Sequence, residues 1–137
     1  MRQIIITESD HRNLEALLSS EFAKVAEPAS RLDELRAELE RARIVSTYEL
    51  PNDVVTMNSK VVMRDLETDE QETFVLVFPE EADIAEGRLS ILAPIGTAIL
   101  GERIGEEIRW RVPDGWRRLR IEEVIYQPEH ESAFHLG

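Results

Sequence analysis

The apolar residues of this chain repeat at helical spacing up to about residue 46 and alternate from about residue 54 onward, and the two periods demand different secondary structure. Thr7 can act as an N-cap with Asp10 three residues on, and Leu14, Leu17, Leu18 and Phe22 then follow on one helical face. This predicts a helix over roughly residues 8–20. The periodicity lapses between Ser19 and Ala29 and resumes after Glu27-Pro28, where a proline suits the first turn of a second helix. Leu32, Leu35, Leu39 and Ala42 recur at steps of three and four, while Arg31, Glu34, Arg36, Glu38, Glu40 and Arg41 take the other faces. Two apolar stripes joined by a short connection predict a short antiparallel helical hairpin of coiled-coil type.

The tract Thr47-Tyr48-Glu49-Leu50-Pro51-Asn52-Asp53 breaks helical order. It places a hairpin in residues 1–46, a linker in 47–53 and a second module in 54–137. Met57 to Met63 and Thr73 to Phe78 read as an antiparallel pair of strands, and Leu89 to Leu92 as a short third strand. Pro94 opens an apolar helical turn, Ile95 to Leu100, that Gly101 closes in the left-handed conformation. Ile108, Trp110 and Val112 alternate with Arg109 and Arg111, Pro113-Asp114-Gly115 supplies a turn, and Leu119 and Ile121 resume the alternation. The apolar phase then slips across Glu122 and Glu123 before Val124 and Tyr126, as a bulge would make it do. The expected class is therefore α+β, a helical hairpin followed by a mixed β-sheet domain with a short helix.

Charge and composition narrow the function. The 137 residues suffice for one ordinary domain or a small domain with an appendage. The absence of cysteine removes disulfides, thiolate nucleophiles and thiolate zinc sites. A net charge of -12 opposes autonomous binding to nucleic acid or anionic membrane surfaces. No stretch approaches the ~20 apolar residues that span a bilayer, and the first residues do not form a secretory signal, so the expected location is the cytoplasm.

The residues offer few catalytic constellations. His11, His130 and His135 have no metal-ligand spacing, and the serines and threonines lack an evident base, so neither cofactor nor metal is expected. Arg109, Arg111, Arg117, Arg118 and Arg120 crowd one hairpin with Trp110 and Trp116 interleaved. Their alternation predicts a solvated sheet face paired with Glu106, Glu107, Glu122 and Glu123, with acidic residues of a protein partner as the functional reading.

Ser90-Ile91-Leu92-Ala93-Pro94-Ile95-Gly96-Thr97-Ala98-Ile99-Leu100-Gly101, with Ile104-Gly105-Glu106-Glu107-Ile108 after it, resembles the C-terminal domain of Gre transcript cleavage factors. The Pro113-Asp114-Gly115 turn and the Val124-Ile125-Tyr126 strand fit the same pattern. Upstream, Pro51-Asn52-Asp53-Val54-Val55-Thr56-Met57-Asn58-Ser59 is similar to the Rnk branch of that superfamily, named for regulation of nucleoside diphosphate kinase. The resemblance covers nearly the whole chain. It implies an FKBP-like C-terminal domain docking at the rim of the RNA polymerase secondary channel, with the hairpin directed toward the channel. It also implies a non-enzymatic regulator of transcription elongation.

By the same resemblance, the docking surface is the strand-to-helix corner Leu92-Ala93-Pro94-Ile95. Gre sequences commonly carry polar or acidic residues just before this proline, whereas here Leu92 and Ala93 are apolar. In Gre factors an acidic pair at the hairpin tip holds a metal ion that favours hydrolysis of backtracked RNA. The tip here offers Glu21 and Glu27, without the compact acidic motif. A helix of about 14 residues also reaches only ~20 Å, well short of the Gre coiled coil. Transcript cleavage is therefore not expected. The competing reading is a peptidyl-prolyl isomerase or chaperone, which needs an apolar pocket lined by aromatics. Phe74, Phe78, Trp110, Trp116 and Tyr126 lie on strands or beside a turn, where aromatics ordinarily serve the core or cross-strand pairs.

Overall fold

The computed structural model describes residues 3–20 and 29–129, without the side chains at 29–30 and 110–112. A short strand β1 (Ile5–Thr7) runs directly into helix α1 (Glu8–Leu18), and Thr7 caps the junction by accepting the Asp10 amide at 3.1 Å. Helix α2 (Ala29–Glu40) leads back into β2 (Arg43–Val45). β2 lies parallel to β1, with Ile5 opposite Arg43 and Thr7 opposite Val45. The paired strands thus clamp the open end of the helical hairpin. The sequence does not announce either strand, because three residues are too few to show an alternation.

The second module is a five-stranded mixed sheet in the order β5-β4-β3-β7-β6. Its strands are β3 (Lys60–Asp65), β4 (Gln71–Val77), β5 (Arg88–Ser90), β6 (Glu107–Val112) and β7 (Gly115–Tyr126). All neighbours are antiparallel except β4 and β5. The expected slip near Glu122 is a bulge: Met63 faces Ile121 and Val62 faces Glu123, so Glu122 has no partner in the ladder. The first sheet strand starts three residues later than Met57, because residues 56–59 close a tight turn. Asn58 adopts the left-handed conformation there (φ 67°), and Ser59 Oγ accepts the Thr56 amide at 2.9 Å.

Helix α3 (Pro94–Ile99) follows β5, with Gly96, Thr97 and Ile99 buried. Thr97 donates its hydroxyl hydrogen to the Ile91 carbonyl at 2.7 Å, which fixes the helix to the strand that precedes it. Gly96 lets the helix lie on that strand, since a Cβ at this position would collide with the Ser90 carbonyl. Gly101 ends the segment at φ 76°, in the left-handed conformation that its sequence position predicts.

Hairpin and sheet share one core. Leu14, Leu18, Leu32, Leu35 and Leu39 from the helices pack in the same cluster as Val61, Met63, Leu76, Ile91, Ile99 and Ile121. Helices of this length are marginal in isolation, and burying a leucine contributes about 1.5–3 kcal/mol, so the sheet module stabilises the hairpin. Backbone bonds reinforce the seam. Ile5 donates to Gly101, Gly101 to Val55 and Val55 to Glu102, at 3.1, 2.8 and 2.9 Å.

Candidate docking corner and basic hairpin

The corner Leu92-Ala93-Pro94-Ile95 is formed where β5 turns into α3. Ser90 Oγ accepts the Leu92 amide at 3.0 Å and fixes the turn, and Pro94 opens the helix with its backbone angle already set. The leucine of the corner faces inward, with a relative exposure of 1%. Ala93 and Ile95 are partly covered, and Pro94 is exposed. Leu92 therefore belongs to the core, and the surface the corner offers is centred on Pro94. Arg31 of α2 donates to the Leu92 carbonyl at 3.3 Å, so corner and hairpin form one continuous side of the molecule. The other two candidate site residues, Glu21 and Glu27, lie outside the described residues, as do His130 and His135.

Below the corner, between α3 and the sheet, lies a cavity of about 60 Å³ lined by Met63, Asp65, Glu70, Glu72, Phe74, Ile95, Arg117 and Leu119. Asp65 is buried and pairs with Arg117, while one of its oxygens also accepts the Glu67 amide at 2.8 Å. The pair closes the sheet at the turn between β3 and β4.

On the outer face of β3 and β7, Glu122 accepts from Arg120 at 3.0 Å and from Arg64, and these bonds hold its carboxyl below the usual range. Arg118 reaches Glu67 at 3.1 Å. Of the glutamates expected to pair with the arginines here, Glu122 does so with Arg120; Arg118 reaches Glu67 instead, and Arg117 lies on the opposite face of the sheet, where it pairs with Asp65. Arg109 does not join these pairs. Its guanidinium carbon stands 5.2 Å from the centroid of the Trp116 ring.

One buried polar cluster has no counterpart in the sequence pattern. Asp10, on the face of α1 turned toward the sheet, accepts the Met57 amide at 3.0 Å. The Thr56 and Ser59 hydroxyls are 2.8 Å apart, and Thr56 donates to Glu129 at 2.8 Å. Burial pushes the Asp10 carboxyl up to about 6; the Met57 bond opposes that shift and the Glu129 charge adds to it. The cluster joins the first helix, the turn before the sheet and the segment just after the last strand. The spacing Thr56-x-x-Ser59 is a signal for a hydroxyl-stabilised turn, but nothing local links it to Asp10, 47 residues away.

Residues 2–45 match the family described as "Rnk N-terminus", and residues 50–126 match "Transcription elongation factor, GreA/GreB, C-term". The "Regulator of nucleoside diphosphate kinase" of Escherichia coli strain K12 is 41% identical over 134 residues, covering 97% of this chain and 96% of that protein. "Transcription elongation factor GreA" of Clostridium acetobutylicum is 37% identical over 91 residues, which cover 66% of this chain and 58% of the relative. A solved structure, "Prokaryotic transcription elongation factor GreA/GreB from Nitrosomonas europaea", superposes with a TM-score of 0.75 at 41% identity, covering 92% of this chain and all of that one. The hairpin that the sheet module stabilises and the proline-opened corner fall in the two matched segments, and the chain belongs to the Rnk branch of the GreA/GreB family.

Proposed function

We propose that this protein binds RNA polymerase near its secondary channel through the sheet module and regulates transcription without promoting transcript cleavage. The observation that carries this reading is a Gre-type sheet module joined to a short hairpin. Both helices and their connection fall within the 33 residues from Glu8 to Glu40, so two equal arms reach at most about 25 Å at ~1.5 Å per residue. A hairpin of that reach acts by occupying space at a channel mouth, and steric exclusion requires no metal ligand. The name of the E. coli relative adds a regulatory output at nucleoside diphosphate kinase. The site of action in this reading is the cytoplasm, beside the polymerase. Among the described residues no helix is long and apolar enough to cross a membrane.

The isomerase reading finds little support in the cavity beneath the corner. Its 60 Å³ is small for a proline-containing peptide, and Asp65, Glu70, Glu72 and Arg117 make it polar. Co-precipitation with purified core polymerase, run beside a proline-peptide isomerisation assay, discriminates the two. Recovery with polymerase and no isomerisation is the expected result, and isomerisation without recovery would overturn the proposal.

Two variants sharpen the test. Pro94→Asp, on the exposed part of the corner, should weaken polymerase binding about tenfold while leaving the fold intact, since an acidic residue suits the first turn of a helix. Glu21→Gln with Glu27→Gln should leave binding and competition with a Gre factor largely intact, because steric exclusion requires no carboxylate ligand. The accompanying measurement is RNA cleavage by stalled elongation complexes. Robust cleavage by the parent that disappears in the double variant would place the chain among cleavage factors instead.

A further inference from the structure

The β6–β7 hairpin extends past the sheet that carries it. β3 pairs with β7 only from Leu119 to Tyr126, whereas β6 and β7 continue to pair with each other out to Val112 and Gly115. The outer end is thus a two-stranded ribbon. Residues 109–120 hold five arginines and one aspartate; Arg117, Arg118 and Arg120 are ion-paired with Asp65, Glu67 and Glu122, and beyond these pairs the outer end, residues 109–116, carries two arginines against one aspartate in a chain whose total charge is -12. The other end of the same ribbon is acidic, with Glu106, Glu107, Glu122 and Glu123. Trp116 is 55% exposed, too much for a core role, and its ring carries the exposed Arg109. Tryptophan and arginine are both enriched among the residues that dominate binding energy at protein interfaces.

We propose that the outer end of this ribbon, centred on Arg109 and Trp116, is a docking surface for an acidic segment of a protein partner. Charge complementarity selects the ligand sign, and the ribbon's dimensions select the class. Four residues of strand span ~13 Å, enough for a few carboxylates and one apolar side chain laid over Trp116. A nucleic acid duplex carries a phosphate every ~1.7 Å along its axis. Such a polyanion would run beyond the arginines onto the carboxylates at the base of the ribbon and onto an acidic body. A short acidic peptide meets the arginines alone. This surface is distinct from the Pro94 corner, and its test does not depend on polymerase binding.

Both tryptophans of the chain, Trp110 and Trp116, lie in this hairpin, so tryptophan emission reports on the site directly. The full chain is titrated with a peptide of alternating glutamate and leucine, and separately with a short DNA duplex. The peptide should change the emission with an affinity that falls as salt rises through the range where the Debye length drops below ~10 Å. Arg109→Gln with Arg111→Gln, which keeps the strand polar, should weaken peptide binding about tenfold with an unchanged circular dichroism spectrum. The salt dependence of the parent tests the same point without a variant. An unchanged emission, a variant that binds as well as the parent, or tighter binding of the DNA duplex would each overturn the proposal.

Discussion

Alanine at Gly101 should lower the stability of this protein by about 2–5 kcal/mol, with the damage concentrated where the hairpin joins the sheet. Two effects add. The residue sits at φ 76°, where an L side chain costs about 1–2 kcal/mol. A Cβ there would also lie 2.7 Å from Ile4 Cβ and 2.9 Å from the Ile5 carbonyl oxygen, so β1 would have to move away from the end of α3. Amide exchange should accelerate at Ile5 and along β2 before it does in β3 and β7. Gly96→Ala should be at least as severe, because the obstructing atoms belong to the backbone of β5. Gly105 supplies the control. It is also left-handed, at φ 94°, but nothing stands within 4 Å of its absent Cβ, so Gly105→Ala should cost only the conformational ~1–2 kcal/mol. Equal losses at Gly101 and Gly105 in denaturant unfolding would refute the close-contact account.

The second large effect is a dependence on pH carried by Asp10. Its carboxyl ordinarily titrates near 3.8 and is raised to about 6 in the fold, chiefly by burial. A raised carboxyl pKa means that the folded state prefers the proton. Folding is therefore favoured below pH 4, and this contribution is lost as the pH climbs from about 4 through about 6. A shift of this size corresponds to about 3 kcal/mol at most. An asparagine side chain in place of this carboxyl is uncharged at every pH and can still accept the Met57 amide through its carbonyl oxygen. The stability of the Asp10→Asn variant relative to the parent should thus rise between pH 4 and pH 7 by as much as ~3 kcal/mol, and then level off. Chemical unfolding of both proteins at several pH values gives this difference directly, free of the other carboxylates they share. A flat difference would show that Asp10 is solvated in the fold.

Periodicity made much of the architecture legible. The leucines of α1 and α2 announced a hairpin because helical spacing places them on one face whatever lies opposite. Pro94 and Gly101 announced the bounds of α3 because each restricts or permits a backbone angle by itself. The slip of phase at Glu122 announced a bulge for the same local reason. The corner was legible as a turn, but which of its residues faces solvent was not, since Leu92 and Ala93 are both apolar and only the packing of α3 on β5 assigns Leu92 to the core.

What the sequence determined by itself about this protein is thus the class of each long element, the sign of its charge, and its kinship with the Gre factors. Each is encoded in neighbouring residues or in motifs read in order. Tertiary structure alone decided the parallel pairing of β1 with β2, the Arg117–Asp65 pair, the bond from the Met57 amide to Asp10, and the merging of hairpin and sheet into a single core. All of these bring together residues about 38 to 52 positions apart or more, and only chain closure creates them. A three-residue strand has too little alternation to announce itself, and a carboxylate in a first helical turn looks like any cap residue until a sheet covers it.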